Sequence, residues 1–172
     1  MIGFLRFVGI LNAAVWCGSA IFMVAGLPAL FSAKLKELLT VPGTGFAAEA
    51  LVARFFQVQY VCGMIALAHL AAEWLYAGRP ARRLNLGLIM GLLWVGIIGG
   101  IWLQPKMTEL HRIKYFGRTP QEREQAGKTF GMWHGISEGV NLVVIAGLVV
   151  YLWRVSNPDD PLKFANFNKI RG

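Results

Sequence analysis

Four long apolar stretches, each close to the length of one bilayer crossing, leave this chain few options other than a membrane-embedded helical fold. The first runs from Phe7 to Ala33 without a charge, the second from Phe55 to Ala72, and the third from Leu84 to Leu103. The fourth, from about Phe130 to Trp153, carries His134 and Glu138 near its start. A hydrocarbon layer about 30 Å thick needs roughly 20 such residues per helix. Backbone amides in that layer must be paired within the segment, so the stretches are predicted to be helices. The expected architecture is an all-α integral membrane protein, a four-transmembrane-helix bundle, with spans at about 5–32, 55–77, 84–104 and 130–154 and a tail from 156 to 172. The hydrophobic share of 56% exceeds the roughly 45–50% of soluble domains and supports this reading.

A basic start, Met1 to Arg6, gives the first stretch the look of a signal peptide, but its apolar run far exceeds a signal core of about 7–15 residues. We read it as a permanent anchor. Pro28 is expected to kink it or to mark its exit from the membrane. The third stretch is expected to stop at Gln104-Pro105-Lys106, although Met107 to Phe116 has the pattern to carry a helix onward into solvent. Lys34 to Arg54, with Pro42-Gly43-Thr44-Gly45, reads as a connector with an amphipathic stretch. Gly78 to Arg83 reads as a tight turn, and Lys106 to Thr129 as a connector of mixed charge.

The formal net charge of +8 would suggest nucleic acid in a soluble chain. Here the basic residues sit in short connectors beside the spans, so the bilayer's anionic headgroups are the expected partner and nucleic acid is not. Even crossing numbers put both termini on one side. Eight Lys and Arg fall on that side (Arg6, Arg79, Arg82, Arg83, Arg154, Lys163, Lys169, Arg171) and nine on the other, so the positive-inside rule is nearly balanced. The Arg79/Arg82/Arg83 cluster, close to two membrane ends, tips the expectation toward cytoplasmic termini in a bacterial inner membrane. Cys17 and Cys62 lie at depths differing by about 9 Å, too far for a bridge, and are expected to be free and buried.

Ionisable groups inside a membrane are costly, about 2.5–3.5 kcal/mol each at a helix centre, and normally face a bundle interior or a wet cavity. Two helices carry the same pair at a spacing of four, His69 with Glu73 and His134 with Glu138, which puts each pair on one face. The second-helix stripe is Gln59, Cys62, Gly63, Ala66, His69 and Glu73; the fourth-helix stripe is Gly131, His134, Ser137, Glu138 and Asn141. Asn12, Trp16 and Ser19 add a third, and the stripes are expected to face one another. One shared metal or haem site is disfavoured, because His69 and His134 lie about 15 and 30 Å from the termini side. A ladder of separate polar sites that relays protons or lines a small-substrate path is the second reading. The third is structural: satisfied polar contacts that fix helix register. His111 reads as a solvated or headgroup-level side chain. Gly87-x-x-x-Gly91 and Gly96-x-x-x-Gly100 permit close helix approach, inside the bundle or to another chain.

Several of these residues form a recognisable set. Trp16-x-Gly18 with Pro28-x-Leu30-Phe31, Phe55-x-x-x-x-Tyr60, Leu103-x-Pro105 and Phe130-x-x-x-His134-Gly135-x-Ser137-x-x-x-Asn141-Leu142 resemble the transmembrane protein 205 family and its bacterial relatives of unknown function. The resemblance implies a four-helix membrane protein with a His/Ser/Asn face on the fourth helix. It supplies no reaction, substrate or catalytic residue. His69, Glu73 and the tail lie outside it.

No nucleophile–base order, phosphate-cradling loop or paired-cysteine motif is visible. The expected function is therefore a non-enzymatic accessory or assembly subunit of a larger membrane complex, packing through its glycine-rich third helix and the Phe164/Phe167-bearing tail, or associating with itself. In a redox or photosynthetic complex, a His would ligate haem or chlorophyll. The alternative is a small carrier or channel using His134, Ser137, Glu138, Asn141, His69, Glu73 and Asn12 as its polar path; a lipid-modifying enzyme is a third option.

Overall fold

A computed structural model describes residues 2–77 and 83–157, and these are all-helical apart from short turns. The Gly78–Arg83 turn, but for Arg83 itself, and the tail from 158 onward lie outside the described residues, as do the expectations placed on them. The chain runs α1 (Ile2–Gly26), a 3-10 turn (Leu27–Phe31), α2 (Ala33–Ala77), α3 (Arg83–Ile98), a π turn (Gly99–Leu103), α4 (Gln104–Phe116) and α5 (Pro120–Ser156). Four helical rods result, each long and apolar enough to cross a membrane: Gly3–Phe31, Ala33–Tyr76, Arg83–Phe116 and Pro120–Ser156.

Three of the rods are longer than a crossing, and here the structure corrects the expected connectors. Lys34–Arg54 is helical and continuous with the second span, broken only at Thr40. Pro42 sits two residues after that break, where a helix has no amide to lose. The third rod does not stop at Pro105. Proline removes one backbone donor, and the helix absorbs the loss by widening into the π turn, where Gln104 N–H reaches back to Gly99 O. Lys106–Thr129 is α4, which continues through Met107–Phe116 as its pattern allowed, then a tight turn and the start of α5. That start is set by a capping box: the Thr119 hydroxyl accepts from Glu122 N–H, and the Glu122 carboxylate accepts from Thr119 N–H, with Pro120 in the first turn.

The bundle core lies at bilayer depth. Trp16 and Tyr151 are fully enclosed and meet edge to face with centroids 6.2 Å apart. Ala13, Cys17 and Ala20 of α1, Cys62 and Ala66 of α2, Ile89 and Leu92 of α3, and Val144 and Leu148 of α5 complete it. Cys17 and Cys62 are free and buried, as expected. Helix α1 packs on α2 and α5, α3 packs on α2 and α5, and the backbones of α2 and α5 do not approach each other closely among the described residues. The termini side is tied by Arg154 Nε donating to Asn85 Oδ1 at 2.6 Å and by Arg6 donating to Ser156 O at 2.7 Å. The opposite boundary carries Trp102 and Trp133 with the Lys106 ammonium 5.0 and 4.4 Å from their ring centroids, an interfacial anchor.

Thr40 adopts φ 64, ψ 164, a region that is essentially glycine's own and costs a side-chain-bearing residue about 1–3 kcal/mol. Its hydroxyl accepts from Gly43 N–H at 3.4 Å, a weak cap whose loss to glycine costs a few tenths of a kcal/mol. Relief of strain outweighs the lost cap, so Thr40→Gly is expected to raise the thermal unfolding midpoint of the detergent-solubilised protein. An unchanged or lower midpoint would contradict this balance.

Candidate functional site

Three polar clusters occupy the bundle, and the structure sorts them differently from the sequence. The first is at bilayer depth between α1, α2 and α3. Asn12 Nδ2 donates to Cys62 O at 2.9 Å, the Tyr60 hydroxyl donates to Gly96 O at 3.2 Å, and the His69 Nε2–H donates to Leu5 O at 2.9 Å. Each acceptor is a helix carbonyl whose residue four positions on is small: Ala66, Gly100 and Gly9. A helical side chain at that position would shield the carbonyl, and a Cβ at Gly9 would stand 2.5 Å from His69 Nε2. Gln59 is buried in the same seam, its carboxamide against Gly96. Asn12, Gln59 and His69 are thus spent on holding helices together, while Glu73 of the same stripe is half-buried.

The fourth-helix stripe does not face it. Among the described residues α1 and α3 stand between α2 and α5, so the two stripes do not meet directly. Helix α5 turns Leu148, Val144 and Tyr151 inward, which carries the opposite face out. His134 and Glu138 sit on that outer face, 53% and 68% exposed, with Nε2 and Oε1 3.2 Å apart. Ser137 donates to its own helix at His134 O, and Asn141 is half-buried. Counting from Leu103 and its neighbours on α5, His134 lies at the membrane boundary and Glu138 about one turn inside it.

The third cluster is one the sequence reading missed. His111 is not solvated: its side chain is 6% exposed, packed among Phe46, Tyr115 and Phe130 in the part of the bundle that projects beyond the membrane. Its Nδ1 lies 2.8 Å from Glu49 Oε1, a carboxylate whose side chain is 22% exposed. The approach is off the nitrogen's axis, and neither atom has a well-formed hydrogen bond. The ring is seated directly on the Gly45 backbone, where a Cβ would collide with it. The signal for this site was present as a small residue, Gly45, one turn before Glu49. It becomes readable only if the helix is carried through Pro42, because the helical spacing then joins Gly45 to Glu49. Through Phe130, which stacks on His134 with centroids 5.8 Å apart, the buried site abuts the outward one.

Among the described residues, no group of three or more His, Cys, Asp and Glu side chains converges as a metal site would require. The enclosure of the His111–Glu49 pair makes it sensitive to packing. Gly45→Ala is expected to destabilise the protein by about 1–3 kcal/mol through overpacking. In a His111→Ala background the same change should cost close to nothing, so the double-mutant cycle reads the contact. Equal costs in both backgrounds would show that the ring does not rest on Gly45.

Neither the curated proteins nor the solved structures contain a significant match to the chain. The stretch from 11 to 115, which holds Asn12, Gly45, Glu49, His69 and His111 and makes up more than half of the sequence, matches one family model. The chain belongs to that family, described as domain of unknown function DUF4149.

Proposed function

We propose that the protein is a non-enzymatic accessory or assembly subunit of a larger membrane complex, and that it meets its partner through the outer face of α5. The observation that carries this reading is the outward His134–Glu138 pair near the membrane boundary. A carboxylate one turn inside hydrocarbon costs free energy when it faces lipid, a cost that another protein surface with polar groups removes. Gly131, Gly135 and Gly139 flank the pair, and open space surrounds each, so a second helix can approach the backbone closely. The resemblance of the Phe130–Leu142 string to the transmembrane protein 205 family adds weight to the same face. Gly87 and Gly91 on α3 are open in the same way and offer a second contact.

If the complex is a redox or photosynthetic one, His134 is the histidine a neighbouring haem or chlorophyll would meet, since His69 is committed to a backbone carbonyl and His111 is enclosed. The carrier reading is less well supported, because the His/Glu pair of α5 points away from the polar groups of α2. We place the protein in a bacterial inner membrane with cytoplasmic termini, on the strength of the Arg79/Arg82/Arg83 cluster. A C-terminal fluorescent-protein fusion should be bright and an alkaline phosphatase fusion inactive; the reverse pattern inverts the topology.

A photo-crosslinking residue at Leu142, exposed one turn on from Glu138 on the same face, should yield protein adducts in native membranes, and one at Met64 of α2 should not. Gly135→Leu should abolish those adducts without lowering the thermal stability of the isolated chain, because nothing lies within 4 Å of its added Cβ and leucine is the better helix former. Failure to obtain any protein adduct from the α5 face would defeat the proposal.

A further inference from the structure

The seam that joins α1 to α2 leaves an open groove on its lipid side with a volume of about 510 Å³. Leu11 and Val15 of α1 and Val58, Val61 and Ile65 of α2 form its apolar walls, and Arg54 and Gln57 stand at one end. Among the described residues Arg54 is the only charged one that lines it, and no carboxylate does. The guanidinium donates to Gln57 Oε1 at 2.9 Å, a contact one turn along the helix that holds the charge beside the groove mouth.

The dimensions fit one leaflet. From Arg54 to Ile65 the groove follows α2 for about 16 Å, against a half-thickness of about 15 Å for the hydrocarbon layer. Arg54 lies where the uncharged stretch of α2 begins, close to headgroup level on the side away from the termini, and Ile65 lies past mid-depth. An occupant must therefore be elongated and apolar over one leaflet and anionic at the end that meets Arg54. Arginine offers a planar fork of donors that suits a phosphate.

We infer that this groove is a binding site for one anionic phospholipid, with an acyl chain lying between α1 and α2 and the phosphate on Arg54. The site is separate from the α5 face and does not depend on the accessory-subunit reading.

Native mass spectrometry of the full chain, delipidated in mild detergent and titrated with phosphatidylglycerol or phosphatidylcholine of matched chains, tests the inference. One phosphatidylglycerol should be retained in preference to phosphatidylcholine. Arg54→Gln should weaken its retention about tenfold, the factor that corresponds to about 1.4 kcal/mol. Val61→Trp, a change on an exposed wall that leaves the core untouched, should reduce retention of both lipids by filling the groove. Inorganic phosphate at millimolar concentration should not displace the bound lipid, which separates a lipid site from a phosphate site. Equal retention of the two lipids, an unaffected Arg54→Gln protein, displacement by phosphate, or a photo-crosslinker at Val61 that captures a second copy or another protein would each overturn it.

Discussion

The bundle depends on hydrogen bonds from side chains to backbone carbonyls that already serve their own helices. In hydrocarbon, an amide cannot exchange its helical partner for water, so the backbone stays helical and only the second lone pair of a carbonyl is available to a neighbour. Leu5, Cys62 and Gly96 offer that lone pair, and Gly9, Ala66 and Gly100, each four residues further on, leave it uncovered. These three contacts lock α1 to α2 and α2 to α3 at set depth. Van der Waals packing of Trp16, Tyr151 and Leu148 then fixes α1 against α5.

The spans were legible because uncharged length is a direct physical requirement of the bilayer, and no tertiary contact can override it. Their ends were not. Pro42 and Pro105 both look like stop signals, yet one falls in the first turn of a helix and the other is absorbed by a π turn built on Gly99 and Gly100. Once those helices continue, the stretches that resemble connectors become a small three-helix extension with its own interior of Thr44, Ala48, His111 and Ala126.

The histidines show the same limit more sharply. Spacing puts His134 with Glu138 and His69 with Glu73, and both pairs look equally suited to face inward. Which face is inward depends on partners. Both α2 and α5 pack on α1 and α3, but α2 turns Gln59 and His69 into those contacts, whereas α5 turns Val144, Leu148 and Tyr151 inward and leaves His134 and Glu138 exposed. His111, with no intramembrane context to mark it, is the one sealed among aromatic rings. A polar residue's spacing reports the face it shares; only the neighbour list reports whether that face is dry.

The passage of three helices through the membrane boundary without a break has a mechanical consequence. No linker separates the extension from the spans, and although the third rod carries a π turn and Pro105 at the crossing, the other two pass it as unbroken α-helix. Tilting the spans must therefore swing the His111–Glu49 region through an arc, and a load on that region must be felt as torque in the lipid. Outside and inside act as the two arms of one lever, with Lys106 and its pair of tryptophans at the fulcrum.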